Sequence, residues 1–121
     1  MTHDNILYNL SKSFALRVIR LYSFLRSEKE EFVISKQIYR CGTSIGANIA
    51  ESINAQSRAD FVSKLSISLK EATETKYWLE LLYESGNISD KQAESIMTDL
   101  NVIIGTLVKT IKKTKENESN E

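Results

Sequence analysis

The sequence predicts an all-α protein folded as an antiparallel up-down-up-down four-helix bundle. Three observations point there. The 121 residues include no proline and only four glycines, so little interrupts a helix. Apolar residues recur at steps of three and four along most of the chain, the spacing of one helical face. No segment alternates apolar and polar residues as a half-buried strand does.

The first helix is expected over about residues 5–27, after a short start in which Asp4 or Asn5 acts as N-cap. Leu7, Leu10, Phe14, Val18, Leu21 and Leu25 form its core seam. Ala15, Ile19 and Tyr22 widen the apolar surface to one side. Four rods need only one stripe each to close a shared core, so this extra flank predicts self-association. Lys12, Arg17, Arg20 and Arg26 make the remainder basic. Ser27 to Glu31 read as a solvated connection, and Ser35 as the cap of the next helix.

The second helix, about residues 36–56, carries three stripes. Ile38, Cys41, Ile45, Ile49 and Ile53 are apolar. Gly42, Gly46 and Ala50 have almost no side chain. Gln37, Arg40, Ser44, Asn48 and Glu51 are polar. A surface helix needs one apolar face, so three distinct faces predict neighbours on most sides. A glycine inside a helix costs about 1 kcal/mol relative to alanine, which suggests a close helix approach that only glycine allows.

Ser57 to Asp60 form a variant capping box that starts a third helix over about residues 58–85. Phe61, Leu65, Leu69, Ala72 and Leu79 make its seam, extended by Trp78, Leu81 and Leu82. Glu71, Glu74 and Glu80 alternate with Lys70 and Lys76 as a solvated face. Gly86 suits the C′ position. Ser89 to Gln92 form a second box, opening a fourth helix over about 90–114. Its seam is Ala93, Ile96, Leu100, Ile103, Leu107 and Ile111, with Gly105 a mild weakness. Residues 1–115 thus form one domain, and 116–121 a frayed tail.

Composition excludes several classes of function. Sixteen basic residues balance sixteen acidic ones, so no gross charge draws the chain to nucleic acid or membrane. No apolar run approaches the roughly 18–20 residues of a membrane span, and no signal-peptide pattern opens the chain. The lone Cys41 reads as a small buried hydrophobe in a cytoplasmic protein. His3 stands alone, so neither a metal site nor a general base is expected. With no Ser/His/Asp set and no glycine-rich phosphate loop, the chain reads as non-enzymatic and without a cofactor.

Gln37-Ile38-x-Arg40, Ser44-Ile45, Asn48-Ile49-Ala50-Glu51 and Ser57-x-x-Asp60-Phe61 resemble a known family over most of the chain. It is the four-helix bundle proteins encoded in intervening sequences of 23S ribosomal RNA genes. The accessory protein of diversity-generating retroelements is similar to them. The resemblance implies a ring-like homopentamer and a role around RNA, a ribonucleoprotein or a reverse-transcriptase-like partner. This chain lacks three features of many members, a proline near Gly46, a glycine near Ser52 and a basic residue between Glu51 and Ser57.

Two readings of the polar residues follow. Arg40 meets a phosphate while Asn48 and Glu51 orient it, or the stripe is a hydrogen-bond network that fixes helix register or subunit pairing. Arg40 and Glu51 lie about 16 Å apart along one helix, so each needs a partner elsewhere. Likewise Lys12, Arg17, Arg20 and Arg26 either contact nucleic acid or keep the surface solvated; Lys109, Lys112, Lys113 and Lys115 pose the same choice. Trp78, Tyr77 and Tyr83 read as core or interface anchors rather than base-stacking platforms. The chain is expected to act as an RNA-associated interaction module, with a protein scaffold ring that touches no nucleic acid as the alternative.

Overall fold

The computed structural model describes residues 2–119, with side chains described from Ile6 to Asn117. It contains four helices, α1 (Thr2–Glu28), α2 (Ile34–Ser52), α3 (Arg58–Glu84) and α4 (Asp90–Ser119), and no strand among the described residues. Each helix packs on its sequence neighbours, and α1 also meets α4. The diagonal pairs make no close backbone approach, so the helices sit at the corners of a square. Phe14, Val18 and Leu25 of α1 bury against Ile38, Ile45 and Ile49 of α2 and the leucine seam of α3. Ile96, Leu100, Ile103 and Leu107 of α4 close the core. Among the described residues, no helix is long and apolar enough to cross a membrane.

The joints show why the helices begin and end where they do. Glu30 adopts a left-handed φ of 50°, and the Glu31 amide donates back to the Leu25 carbonyl at 2.9 Å. The Glu31 carboxylate then accepts from the amides of Val33, Ile34 and Ser35 at 3.2, 2.9 and 2.7 Å. A charged acceptor at a helix N-terminus outcompetes a hydroxyl, because it meets several orphan donors and the helix dipole together. So Glu31, not Ser35, caps α2, and the helix starts at Ile34. Ser35 lies buried in the first turn.

At its far end α2 stops at Ser52, four residues short of the expected Gln56. Asn54 and Ala55 donate to carbonyls three residues back, which tightens the turn. Ser57 is extended and accepts from the Asp60 amide at 3.0 Å. As a result Ile53 is exposed rather than a continuation of the apolar stripe. The Asp60 carboxylate reaches the Gln56 amide at 3.2 Å, one residue upstream of the position a strict box would use.

The α3–α4 joint follows the sequence closely. Gly86 has φ 81°, and the Asn87 amide donates to the Leu82 carbonyl at 2.9 Å, closing the helix end. Ser89 and Gln92 cap reciprocally at 3.2 and 2.8 Å. α4 runs through Ser119, past the expected end near 114, because nothing after Lys115 breaks a helix. Asn120 and Glu121 of the expected tail lie outside the described residues. The side chains of His3, Asp4 and Asn5 do as well.

Two helical glycines contrast in what surrounds them. A Cβ on Gly42 would stand 2.8 Å from Val18 Cγ2, and one on Gly46 would stand 3.2 Å from Ser11 Oγ. The small-residue stripe therefore seats α1 directly on α2. Gly105 has nothing within 4 Å of the same position. Gly105→Ala is expected to stabilise the protein by about 1 kcal/mol through helix propensity alone. Denaturant unfolding at fixed protein concentration measures it, and an unchanged or lower midpoint would contradict an open site.

Candidate functional site

The polar stripe of α2 divides into separate local uses. Arg40 reaches across to α3, where its Nη2 donates to Glu74 Oε2 at 2.6 Å and its Nη1 stands 3.5 Å from Glu71 Oε1. The same Glu74 oxygen accepts from Trp78 Nε1 at 3.1 Å. The hydrogen bond to Glu74 and its charge raise the Arg40 pKa. Trp78, and then Arg40, hold the Glu74 carboxyl below its usual range. So Glu71 and Glu74 face α2 and are not part of a purely solvated edge. The sequence signal available for this was the Glu74–Trp78 pair at helical spacing.

Further along, Ser44 donates to the Arg40 carbonyl at 2.6 Å, and Asn48 donates to the Ser44 carbonyl at 2.9 Å. Both side chains are bonded to their own helix. Glu51 pairs with Lys64 of α3 at 3.1 Å. Arg40 and Glu51 thus each find a partner on α3. Gln37 is exposed, and Phe61 is half-buried against the core. Ser57 and Asp60 act at the start of α3, as described above.

Cys41 is fully buried and takes a 3.2 Å hydrogen bond from Thr75 Oγ1. Burial pushes its thiol pKa up, so it stays protonated and unreactive. Among the described residues, no group of three or more His, Cys, Asp or Glu is placed to hold a metal ion.

The basic residues of α1 do not share one open face. Arg17 is docked on α4, donating to Asp99 Oδ2 at 2.6 Å, Ser95 Oγ at 2.8 Å and the Ser95 carbonyl at 3.2 Å. The Arg26 guanidinium lies between the rings of Tyr22 and Phe32, 5.1 and 5.0 Å from their centroids. Lys12 sits over Tyr8, and Arg20 is exposed beside a groove between α1 and α4.

The sequence profile of the 23S rRNA-intervening sequence protein family matches residues 3–109. The chain belongs to that family. It is also similar to a crystal structure of a protein of unknown function from the S23 ribosomal protein family of Bacteroides thetaiotaomicron. The two share 55% identity over 91% of this chain and 98% of that one, with a TM-score of 0.89. Among curated proteins, none matches.

In this member of the 23S rRNA-intervening sequence protein family, the α1–α2 face carries what helical periodicity missed. Tyr22 and Tyr39 meet edge to face at 4.8 Å, which extends the Phe32–Arg26–Tyr22 stack across both helices. Around that ladder Val33 is 72% exposed, Phe32 47%, Tyr39 40% and Ile19 38%. Phe32 and Val33 sit in the turn between α1 and α2, where no periodicity marks them. The only available signal was an apolar pair directly after a run of charges. Tyr77 and Tyr83 are exposed as well, while Trp78 is half-buried.

Proposed function

We propose that this protein is a non-enzymatic assembly module. Its helices run up, down, up and down, and its copies join into a homo-oligomeric ring in the cytoplasm. The observation that carries this reading is the exposed aromatic and aliphatic strip of Ile19, Tyr39, Phe32 and Val33. Aromatic residues and arginine dominate the buried centres of protein interfaces, and an arginine stacked between rings lies at the middle of this strip. The family resemblance supplies a pentamer as the expected ring. The non-enzymatic part rests on the sequence, which offers one histidine and no nucleophile–base set.

Geometry favours a ring that meets a protein partner over one that grips RNA through α1. On α1, Arg17 is already paired with Asp99, Arg26 is enclosed by rings and Lys12 sits over Tyr8, which leaves the exposed Arg20; on α2, Arg40 is paired with Glu74. An RNA-associated role has one specific observation in its favour: Lys109, Lys112 and Lys113 are exposed near the end of α4. A ring repeats that patch around its axis.

Light-scattering mass of the purified protein tests the assembly, with several chain masses expected and a single chain mass fatal to it. Titration with a structured RNA tests the second reading. Contacts through those lysines would weaken steeply with salt. No binding at low salt removes RNA from the function.

A further inference from the structure

From the lining of one pocket we infer that the end of the bundle where α3 begins and α4 finishes takes a single unpaired base of an RNA strand. The base stacks on Phe61, and the phosphates on either side of it meet Lys109 and Lys113. This deepens the RNA reading above, on which it rests, by giving the strand a site.

The pocket holds about 440 Å³ and is lined by Phe61, Lys109, Thr110, Lys113, Thr114 and Asn117. Pockets for small ligands usually hold about 300–1,000 Å³, so a base with its ribose fits. Phe61 is the aromatic wall. It sits in the first turn of α3, which Ser57 caps, and its amide donates to the Ser57 carbonyl at 2.9 Å. The side chain packs half-buried against the core, so it is held in place before a ligand arrives.

The end of α4 supplies the opposite wall. Lys109, Lys113 and Asn117 follow at four-residue steps, so they share a face at intervals of about 6 Å along the axis. Both lysines are exposed, and neither has an ion-pair partner among the described residues. No carboxylate among the described residues lines the pocket. Asp60, next to Phe61, is turned to the Gln56 amide, and Glu116 lines a separate groove with Leu69 and Lys112. The result is uncompensated positive charge beside an aromatic ring. It fits a ligand with a flat apolar face and anions attached to it.

The remaining polar groups suit a base edge. The hydroxyls of Thr110 and Thr114 donate to carbonyls one turn back in α4, at 2.8 and 2.7 Å, which leaves their oxygens as acceptors. The exposed Asn117 amide offers a donor and an acceptor. A nucleotide complements all of these, with a π-face for the ring, edge groups for the amide and hydroxyls, and phosphate for the lysines. Inside a duplex a base is covered on both faces by its neighbours, so the site selects unpaired RNA. Two lysines a helical turn apart match the phosphates flanking one nucleotide, which makes the ligand a strand rather than a free nucleotide.

The full chain is titrated with a short single-stranded RNA that carries a fluorescent aminopurine, and each variant is checked for helical content and a cooperative melt. Wild-type protein is expected to quench the aminopurine as the base stacks. Phe61→Leu keeps the apolar bulk and removes the ring, and is expected to bind about tenfold more weakly and without quenching. Lys109→Gln with Lys113→Gln lies on exposed surface, so it tests the site even where Phe61→Leu melts early. That pair is expected to lower the slope of log affinity against log salt by about two. Wild-type affinity and quenching in Phe61→Leu, an unchanged salt slope in the lysine pair, or equal affinity for the same strand in a duplex overturns this site and leaves RNA contact elsewhere standing. Adenosine monophosphate that binds as tightly as the strand overturns the strand as ligand. No binding of any RNA at low salt overturns both the site and the RNA reading.

Discussion

Gly42→Val is expected to lower the stability of the bundle by about 2–3 kcal/mol, the upper part of the range for overpacking a core. The first added carbon alone would stand 2.8 Å from Val18 Cγ2 and 3.0 Å from Cγ1. Val18 is fully buried, and a β-branched side chain on a helix has essentially one rotamer. It cannot turn away, so α1 and α2 must separate. The Tyr22–Tyr39 contact spans those two helices, so the exposed ladder would be distorted with them. Loss of stability should therefore come with a smaller light-scattering mass. Gly42→Ala is expected to be milder, because about 1 kcal/mol of helix propensity offsets part of the clash. Denaturant unfolding at one fixed protomer concentration measures both, since assembly makes stability depend on concentration. A valine variant as stable as the wild type would mean that α1 and α2 can part at no cost.

Most of the fold was legible because it depends on properties read along one helix at a time. Seam residues such as Phe14, Val18, Ile45 and Leu100 are all buried, as their spacing requires. Gly86 and the Ser89–Gln92 box mark the α3–α4 joint by local chemistry alone. What escaped the sequence depends on relations between elements. Glu31 lies outside the usual N-cap residues, and its role arises only once Glu30 turns the chain back. Glu71 and Glu74 look like solvated acids until α2 brings Arg40 beside them. Arg17 and Arg26 look like free charges until α4 and the Phe32 ring enclose them. The candidate site was thus legible as a set of residues and illegible as a set of contacts. A helical wheel records which way a side chain leaves its own helix, but not what stands opposite.

Glu74→Ala is expected to cost about 1–2 kcal/mol, more than Arg40→Ala, although Arg40 is the motif residue. The reason is the indole. Removing Glu74 leaves the part-buried Trp78 Nε1–H without its acceptor, and an unsatisfied polar group of that kind costs about 1–3 kcal/mol. Removing Arg40, itself 53% exposed, breaks its ion pairs with Glu74 and Glu71, whose side chains are 36% and 20% exposed. Pairs that open to water are worth about 0–1 kcal/mol. Glu74→Gln should fall between them at neutral pH, since its amide oxygen still accepts from Trp78. Acidity separates charge from shape. The folded-state pKa of Glu74 is lowered from its usual 4.5. The stability due to its charge is therefore fully present above that ordinary value and is lost as pH falls through the lower folded value. The gap between wild type and Glu74→Gln should accordingly close on acidification, while the Trp78→Phe background should shrink the cost of Glu74→Ala at every pH. Denaturant unfolding of these variants at neutral and acidic pH reads both effects. A gap that persists in acid would remove the charge from the account. Should Arg40→Ala prove costlier than Glu74→Ala, or abolish assembly without changing the melt, Arg40 would be serving a neighbouring molecule rather than α3.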